Sequence, residues 1–284
     1  MNDAYPKTIA GLGVLAVGAV LLGGNMLLKD TPPPVVVAPT APLTEGVMFR
    51  DCPTCPVMHV LPADPATIAY PLAAGVTEVT AGEFAEFAGE YPRNRAGCEI
   101  YDGEWRIQEA ASWDNTAADK ALPVTCVSWQ DAVDYAAWLS LRTGQTYRLP
   151  SAPEWEYLAG AGSPAVPWKS GRDACTYANV ADLSAAQRYP GWTAFECHDG
   201  FVGVAPAGSF APNGFGLADT FGNAFEWVQD CWVPVDDGNC REHEARGGSW
   251  FTAPALVRPN YRNRFETEYR GNSLGFRLVR EISR

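Results

Sequence analysis

The chain has 284 residues, of which 47% are hydrophobic and 12% aromatic, so it can bury a sizeable core in one large domain, or at most two. Charged residues make up 19%, while 27 glycines and 23 prolines indicate a loop-rich α+β protein rather than a helical bundle. The net charge of −12 argues against nucleic acid as a partner, because two polyanions repel each other. A cationic ligand, a divalent cation or simple solubility would each suit this charge.

The first apolar segment, residues 8–28, contains no charged side chain and matches the ~20 residues that a helix needs to cross a bilayer. It is longer than the apolar core of a typical signal peptide, and it ends in Met-Leu-Leu-Lys rather than in a small-residue cleavage site. We therefore expect residues 1–29 to form an uncleaved inner-membrane anchor, with the rest of the chain in the periplasm. The alternative is a cleaved signal peptide and a soluble periplasmic protein.

A proline-rich segment, residues 30–46, follows and predicts an extended linker. The folded domain is then expected to occupy residues 47–284. The sequence predicts three helix starts in this domain, at Thr80, Ser128 and Ser151. At each of them a capping side chain precedes an apolar stripe. After residue 165 the chain is rich in Gly, Pro, Asn and aromatic residues, which indicates short strands and ordered loops.

Eight cysteines all follow the apolar segment: Cys52, Cys55, Cys98, Cys126, Cys175, Cys197, Cys231 and Cys240. An even number in an exported chain indicates disulfides, although the sequence alone leaves their connectivity open. Our working hypothesis pairs each cysteine with its neighbour, as 52–55, 98–126, 175–197 and 231–240. The Cys-Pro-Thr-Cys motif could instead be a redox or zinc motif. A structural bridge is favoured because no second such motif, clustered histidines or strand–helix context accompanies it.

Five segments identify a family resemblance: PVTCVSWQDAVDYAAWLS, TYRLPSAPEWEYLAGAG, APAGSFAPNGFGLADTFGNAFEWVQDCW, ARGGSW and NSLGFRLVR. In this order they resemble the formylglycine-generating enzyme (sulfatase-modifying factor) family over about residues 47–281. The resemblance implies a loop-rich α+β formylglycine-generating-enzyme-like fold related to C-type lectins. The wider family includes sulfatase activators, iron-dependent sulfur-transfer enzymes of ergothioneine synthesis and the periplasmic pyoverdine-maturation protein.

One departure from the family concerns its copper site. In the sulfatase activators, two cysteines after the Gly-Gly-Ser turn bind copper, and the matching positions here are Thr252 and Val257, which offer no thiolate. The resemblance therefore implies the fold without copper, that is, a pseudoenzyme with respect to formylglycine generation. The three histidines, His59, His198 and His243, are isolated in the sequence, and we expect them at surface or loop positions rather than as metal ligands.

The resemblance also implies structural calcium, an ion that prefers loop carboxylates and carbonyls. One ion would be held by the loop residues Asp219, Thr220, Gly222, Ala224 and Glu226, with Asn223 bracing the turn. A second ion would be held by Asn179, Val180, Asp199 and Phe201. Asp, Asn and Glu would contribute side chains, and the other residues carbonyls. The alternative is that these residues only cap turns.

A ligand pocket is expected around the segment ARGGSWFTAPALVRPNYRNRF, residues 245–265. The candidate pocket residues are Ser249, Trp250, Thr252 and Arg262. Ser249 matches the family's pocket serine, but no histidine partner is visible, so a Ser-His nucleophile is not indicated. Arg262 could bind a ligand carboxylate, whereas for Arg258 and Arg264 bracing of the fold is the stronger alternative.

Three further arginines, Arg148, Arg246 and Arg277, are expected in buried ion pairs or against loop carbonyls. The sequence favours a membrane-anchored periplasmic maturation or modifying factor that acts on a peptide-derived substrate. The alternative is a non-catalytic lectin-like binding module or an accessory subunit of a membrane protein complex. Whether the domain catalyses a reaction is left open by the sequence.

Overall fold

The computed structural model describes residues 42–64, 66–68, 71–93, 97–233 and 240–282. Residues 8–28, for which the sequence predicts a membrane helix, and most of the predicted linker lie outside these ranges. Within the described ranges, no helix combines the length and the apolar character needed to span a bilayer. The described residues belong to one compact unit.

The described strands form a five-stranded sheet in the order β1-β2-β3-β11-β6, a four-stranded sheet in the order β10-β7-β8-β9, and a hairpin β4-β5. The strands are β1 (Met48–Phe49), β2 (Met58–Val60), β3 (Leu72–Gly75), β4 (Cys98–Tyr101), β5 (Trp105–Gln108), β6 (Tyr147–Arg148), β7 (Phe225–Cys231), β8 (Glu242–Arg246), β9 (Arg262–Glu266), β10 (Leu274–Gly275) and β11 (Val279–Glu281). The helices are α1 (Ala81–Glu90), α2 (Trp113–Thr116), α3 (Trp129–Thr143), α4 (Ala152–Ala159), α5 (Ala174–Tyr177) and α6 (Leu183–Arg188), with a 3₁₀ turn at Pro254–Leu256. This mixed fold with few helices confirms the expected class.

The three predicted helix starts are confirmed. Thr80, Ser128 and Ser151 each accept a hydrogen bond from the backbone N–H three residues on, and the acidic side chain there accepts one from the backbone N–H of the cap. These reciprocal bonds satisfy amide groups that a helix end leaves free. On the apolar faces of α1 and α3, the rings of Phe84 and Tyr135 stack with centroids 5.7 Å apart. The main core lies between these helices and the sheets.

All four disulfides pair neighbouring cysteines as the hypothesis stated, and no cysteine is free. Two of them fix segments with little regular structure, since 175–197 closes the loop around α6 and 98–126 ties the hairpin to the start of α3. Cross-links of this kind restrict the unfolded chain and so stabilise loops that bury little apolar surface. Four such bridges indicate an oxidising compartment outside the cytoplasm.

A close backbone approach joins two long loops of the domain. Asn179 and Gly222 form a parallel β-bridge, and the backbone N–H of Asn223 donates to the Asn179 carbonyl at 2.7 Å. Gly222 has a φ of +79°, and a Cβ at this position would lie 2.0 Å from the Asn179 carbonyl oxygen. Only glycine therefore allows the loops to meet.

A buried salt bridge joins the end of the chain to β7. Arg277 and Glu226 are 0% and 1% exposed, and the guanidinium Nε and NH2 groups lie 2.6–2.9 Å from the carboxylate oxygens. Arg277 also donates to the carbonyls of Gly75 and Ala218, each at 3.0 Å. The prediction of a buried ion pair for Arg277 is confirmed.

The other two arginines of that group also form ion pairs. Arg148 binds Glu154 at 2.7 Å, and Arg246 binds Glu156 and Glu244, each at 2.8 Å. The expectation of a surface or loop position is wrong for His243, which lies on β8 and is 4% exposed. Its ring stacks on Trp129 with centroids 3.7 Å apart, and burial lowers its pKa.

Replacement of Arg277 by Met should lower the free energy of unfolding by about 3–5 kcal/mol, because the carboxylate of Glu226 would stay buried without its partner. The matched control is Arg264→Met, since Arg264 makes an exposed pair with Glu242 at 3.5 Å and should contribute less than about 1 kcal/mol. Urea unfolding of the disulfide-intact proteins, followed by tryptophan fluorescence, measures both. Equal losses in the two variants would contradict this assignment.

Replacement of Gly222 by Ala should cost at least about 2 kcal/mol of stability, because it adds an unfavourable φ and a steric overlap with the Asn179 carbonyl. Gly89 provides the control, since it lies within α1 and no heavy atom comes within 4 Å of a Cβ built there. Gly89→Ala should be neutral or stabilising by up to about 1 kcal/mol. A Gly222→Ala protein with the thermal stability of the wild type would show that the loops do not need this contact.

Candidate functional site

The Gly-Gly-Ser turn lies at the end of β8 and has a rigid backbone. Gly247 and Gly248 have φ values of +87° and +78°, which favour glycine. The backbone N–H of Ser249 donates to Thr252 Oγ1 at 2.8 Å, and the N–H of Thr252 returns a bond to the Ser249 carbonyl. Ser249 and Thr252 are 0% and 3% exposed, so the pair lies below the protein surface. Their hydrogen bonds give Thr252 a structural role in the turn.

The two positions that match the family's copper cysteines carry no thiol. Thr252 holds the turn, and Val257 is 8% exposed and packs in an apolar cluster. Each of the eight cysteines is in a disulfide, so none supplies a thiolate from elsewhere in the fold. Thiolate ligation of copper therefore has no donor atoms in the oxidised chain.

An aromatic cleft opens beside this turn. It is formed by six aromatic side chains from three segments, Tyr101, Trp105, Tyr189, Trp192, Trp250 and Phe251. The rings are in mutual contact, with centroid distances from 4.7 Å for Tyr189–Trp192 to 6.5 Å for Tyr101–Phe251. Trp250 is buried, whereas Trp105 is 40% exposed, so the cluster extends from the interior to solvent.

Two cavities meet this cluster. One of about 320 Å³ lies within the cleft and is lined by Tyr101, Trp105, Trp192 and Phe251, together with small residues. The other, called here the amide cavity, has a volume of about 510 Å³ and includes Trp250 in its wall. Its polar lining consists of Gln108, Asn115, Thr116, Thr125 and Asn272. None of the described residues that line the two cavities is charged.

Sequence reasoning found Trp250 but missed most of the cleft. A signal was present, because Tyr101 and Trp105 flank the turn of a hairpin in YDGEW, and Tyr189 and Trp192 flank a Pro-Gly turn in YPGW. Two aromatic residues on either side of a glycine turn point in similar directions. Their meeting with Trp250 depends on tertiary contacts, which no local pattern indicates.

The structure places Arg262 away from both cavities. It lies on β9, where it forms an ion pair with Glu244 and stacks over Trp232 with its guanidinium carbon 3.9 Å from the ring centroid. Arg264 also contacts Trp232. Arg258 lines a separate cavity of about 590 Å³. The predicted set is therefore divided: Trp250 borders the cleft, Ser249 and Thr252 lie below it, and Arg262 braces the four-stranded sheet.

The residues predicted to hold one calcium ion lie together. The Asp199 carboxylate accepts the backbone N–H groups of Val180 and Phe201 at 3.0 and 2.9 Å. Asn179 is fully buried, and its Oδ1 atom has no hydrogen-bond partner. Such an unpaired oxygen is what a cation ligand requires, and the donor set fits calcium. The ion itself stays a prediction.

A further carboxylate at this position, Asp182, was missed by sequence reasoning. It accepts the Asp199 backbone N–H at 2.7 Å and caps α6. Asp182, Asp199 and Cys175 have potential ligand atoms within 4.8 Å of one another, but Cys175 is in a disulfide, which leaves the two carboxylates. Burial raises the pKa of Asp199 to about 6, and the neighbouring Asp182 adds to this shift.

The second predicted calcium loop runs from Asp219 to Glu226. Asp219 Oδ2 accepts the Gly208 backbone N–H at 2.5 Å, while its Oδ1 is buried without a partner. Burial raises the pKa of Asp219 to about 6. Glu226 differs from Asp219, because its carboxylate already accepts hydrogen bonds from Arg277 and, at 2.7 Å, from the Trp155 indole N–H. A further acid, Glu78, is buried beside this loop, and burial raises its pKa well above the usual range.

The chain resembles known proteins along most of its length. A family model described as the sulfatase-modifying factor enzyme 1-like domain matches residues 20–282. The formylglycine-generating enzyme of Bos taurus is 32% identical over 198 residues, which cover 63% of this chain and 49% of that protein. The inactive C-alpha-formylglycine-generating enzyme 2 of Mus musculus is 32% identical over 190 residues, covering 63% of this chain and 56% of that protein. The chain thus spans about half the length of these curated relatives.

A solved structure gives a fuller match. PvdO from Pseudomonas aeruginosa superposes with a TM-score of 0.67 and 30% sequence identity, and the alignment covers 84% of this chain and 100% of that chain. The structural agreement and the match of the family model describe the same domain. Because the family model extends over residues 20–282, the chain belongs to the sulfatase-modifying factor enzyme 1-like domain family.

Proposed function

We propose that the protein is an exported maturation or modifying factor that binds a peptide-derived substrate in the aromatic cleft and acts without formylglycine-generating copper chemistry. The observation that carries this proposal is the aromatic cleft together with the amide cavity that meets the same aromatic cluster, since the described residues that line them are uncharged. The family resemblance, which includes a periplasmic pyoverdine-maturation protein, supports it, and the match to PvdO over 84% of this chain supports the same fold. A relative of similar identity that is named inactive shows that this fold also exists without the family's activity.

The lining of the two cavities suits a peptide in its chemistry and size. Amide and hydroxyl side chains such as Asn115, Thr125 and Asn272 offer donors and acceptors that match a peptide backbone. The indole and phenol rings of the cleft suit an apolar or flat side chain, because aromatic rings bury much area with few rotatable bonds. Volumes of about 510 and 320 Å³ lie within the range of small-ligand sites.

We place this activity in the periplasm, because four disulfides need an oxidising compartment. The uncharged segment 8–28 would anchor the domain to the inner membrane, and calcium would serve the fold rather than the chemistry.

A second candidate function is a non-catalytic lectin-like binding module or an accessory subunit of a membrane complex. One observation favours it: among the described residues that line the two cavities, none carries a carboxylate, imidazole or amine that could serve as a general acid or base. Of the described lining side chains, the phenol of Tyr101 alone is ionisable. A reaction in the cleft would need a group from the substrate or from a partner.

A test of the cleft uses a pool of synthetic hexapeptides and the immobilised full-length protein. A subset of peptides should be retained, and Trp192→Ala should weaken their binding by about tenfold or more, as expected for a buried aromatic anchor. Arg262→Ala is the comparison variant, because Arg262 lies outside both cavities, and it should bind normally. Retention of no peptide, or stronger loss with Arg262→Ala than with Trp192→Ala, would count against the cleft.

Mass spectrometry of the retained peptides after incubation separates the two candidate functions. A defined mass change in the peptide supports a modifying factor. Unchanged peptides that remain bound support the binding module.

The oxidised full-length protein should also fail to bind copper(I) stoichiometrically in competition with a chelator, since it has no thiolate. A formylglycine-generating enzyme from the same family serves as the positive control. One copper per chain at an affinity close to that of the control would overturn the copper part of the proposal.

A further inference from the structure

The amide cavity contains an indole N–H that has no acceptor. Trp250 lines this cavity and is 3% exposed, and its Nε1 atom is buried without a hydrogen-bond partner among the described residues. An indole nitrogen can only donate, and a buried donor without an acceptor costs free energy. A ligand that presents an acceptor to Nε1 would remove this cost when it binds.

Asn272 and Thr125 add two polar groups to the same lining. Asn272 Oδ1 accepts the Tyr101 backbone N–H at 3.4 Å, which leaves Nδ2 as a donor that bonds to no described residue. Thr125 is 3% exposed, and its hydroxyl also has no hydrogen bond within the described part of the chain. With Trp250, these side chains therefore offer an indole N–H, an amide N–H and a hydroxyl to one cavity.

The remaining polar side chains of the lining are less available to a ligand. Asn115 and Thr116 bond to backbone groups just before α2, at distances of 2.7–2.9 Å. Gln108 lies on β5, and every residue of this strand is exposed to solvent. The unpaired hydrogen-bonding groups below the surface are therefore mainly donors.

The three unpaired groups are held in place before any ligand binds. The ring of Trp250 packs against the other rings of the aromatic cluster. The Asn272 backbone N–H donates to the Glu99 carbonyl on β4 at 3.0 Å, and Thr125 is next to the 98–126 disulfide. Donors whose positions are already fixed lose little conformational entropy on binding.

The lack of charge in the lining restricts what these donors can bind. None of the described lining residues is charged, so a carboxylate in the cavity would have no cation to balance it. A protonated amine would meet donors where it needs acceptors. A neutral carbonyl oxygen accepts hydrogen bonds without bringing a charge, and an amide supplies such an oxygen.

We propose that the amide cavity is a specificity subsite for a neutral amide group of the substrate, whose carbonyl oxygen accepts hydrogen bonds from Trp250 Nε1 and Asn272 Nδ2. The Thr125 hydroxyl accepts the N–H of the same amide. The aromatic cleft then holds a flat or apolar part of the molecule. The amide comes from a peptide-derived substrate, so this subsite rests on the proposed function.

Three small probes with one skeleton test this selectivity on the full-length oxidised protein. N-acetylglycine N-methylamide is neutral, N-acetylglycinate carries a carboxylate, and glycine N-methylamide carries a protonated amine. The neutral probe should bind at least about tenfold more tightly than either charged probe, because burial of an unpaired charge is costly. Equal or tighter binding of a charged probe, or no binding of the neutral probe, would overturn the proposal.

The indole N–H signals of protein labelled with 15N-tryptophan report the contact itself. Trp250→Phe keeps an aromatic ring, removes the donor and identifies the Trp250 signal among those of the ten tryptophans. This signal should move downfield when the neutral probe binds, and Trp250→Phe should weaken that binding by about tenfold, as expected for one lost hydrogen bond.

The matched control is Trp168→Phe, since Trp168 packs on Phe195 and Phe221 and lies outside the described lining of both cavities. It should bind the neutral probe as wild type does. An unmoved Trp250 signal, or equal losses of binding in the two variants, would contradict the assignment of the donor.

Asn272→Asp distinguishes a ligand contact from a structural role. The change keeps Oδ1 and its bond to Tyr101, but it replaces the donor by a negatively charged oxygen. The variant should bind the neutral probe about tenfold less tightly, and the protonated amine more tightly, than wild type does. A structural role alone would weaken the binding of all three probes equally, and that result would overturn the proposal.

The subsite and the proposed function can fail separately. If hexapeptides are retained but Trp250→Phe binds them as wild type does, the cleft stands and the subsite is wrong. If the neutral probe binds at Trp250 and no hexapeptide is retained, the subsite stands and the peptide-derived substrate is wrong.

Discussion

The side-chain amide of Asn223 connects the parts of this domain that have little regular structure. Its Oδ1 accepts hydrogen bonds from Asn179 and from the Ala205 backbone, at 3.0 and 2.8 Å, and its Nδ2 donates to Glu78 at 3.0 Å. Its backbone carbonyl accepts the N–H of Trp250 at 3.0 Å. Because Asn223 is fully buried, each of these bonds replaces one to water, and loss of the amide would leave several buried groups unpaired.

The aromatic cleft depends on this connection. Trp250 and Phe251 reach the cleft from a turn whose backbone is bonded to Asn223, and the other four rings come from the hairpin and from the loop after α6. The disulfides 98–126 and 175–197 fix the latter two segments. Aromatic rings on loops form a defined site only when other contacts fix the positions of the loops. Here polar contacts and disulfides fix them.

The sequence predicted what depends on neighbours in the chain. The capping residue Ser128 is a local signal, and α3 begins directly after it, as the sequence predicted. The disulfide pairing could be predicted for a similar reason, because the paired cysteines are at most 28 residues apart. The sequence predicted that Arg277 forms a buried ion pair, but it did not indicate which residue is the partner.

The missed residues depend on contacts between distant segments. His243 alternates with polar neighbours in EHEAR, and its burial follows only from Trp129 on α3 covering it. Tyr101 and Trp192 are 91 positions apart, yet their ring centroids lie 5.4 Å from each other. Glu78 and Asp219 are still farther apart in sequence, and neither position alone shows that two carboxylates are buried side by side.

The turn explains how the fold persists where the copper cysteines are absent. Thr252 Oγ1 accepts the Ser249 N–H, so a hydroxyl at this position gives the turn a hydrogen bond that does not depend on a metal. The nearby Arg277–Glu226 pair and the Asn223 contacts involve neither Thr252 nor Val257. These stabilising contacts therefore do not depend on thiols at positions 252 and 257. A chain without the thiols therefore keeps the same turn and the aromatic cleft beside it, and its function has to be argued from that site rather than from the fold.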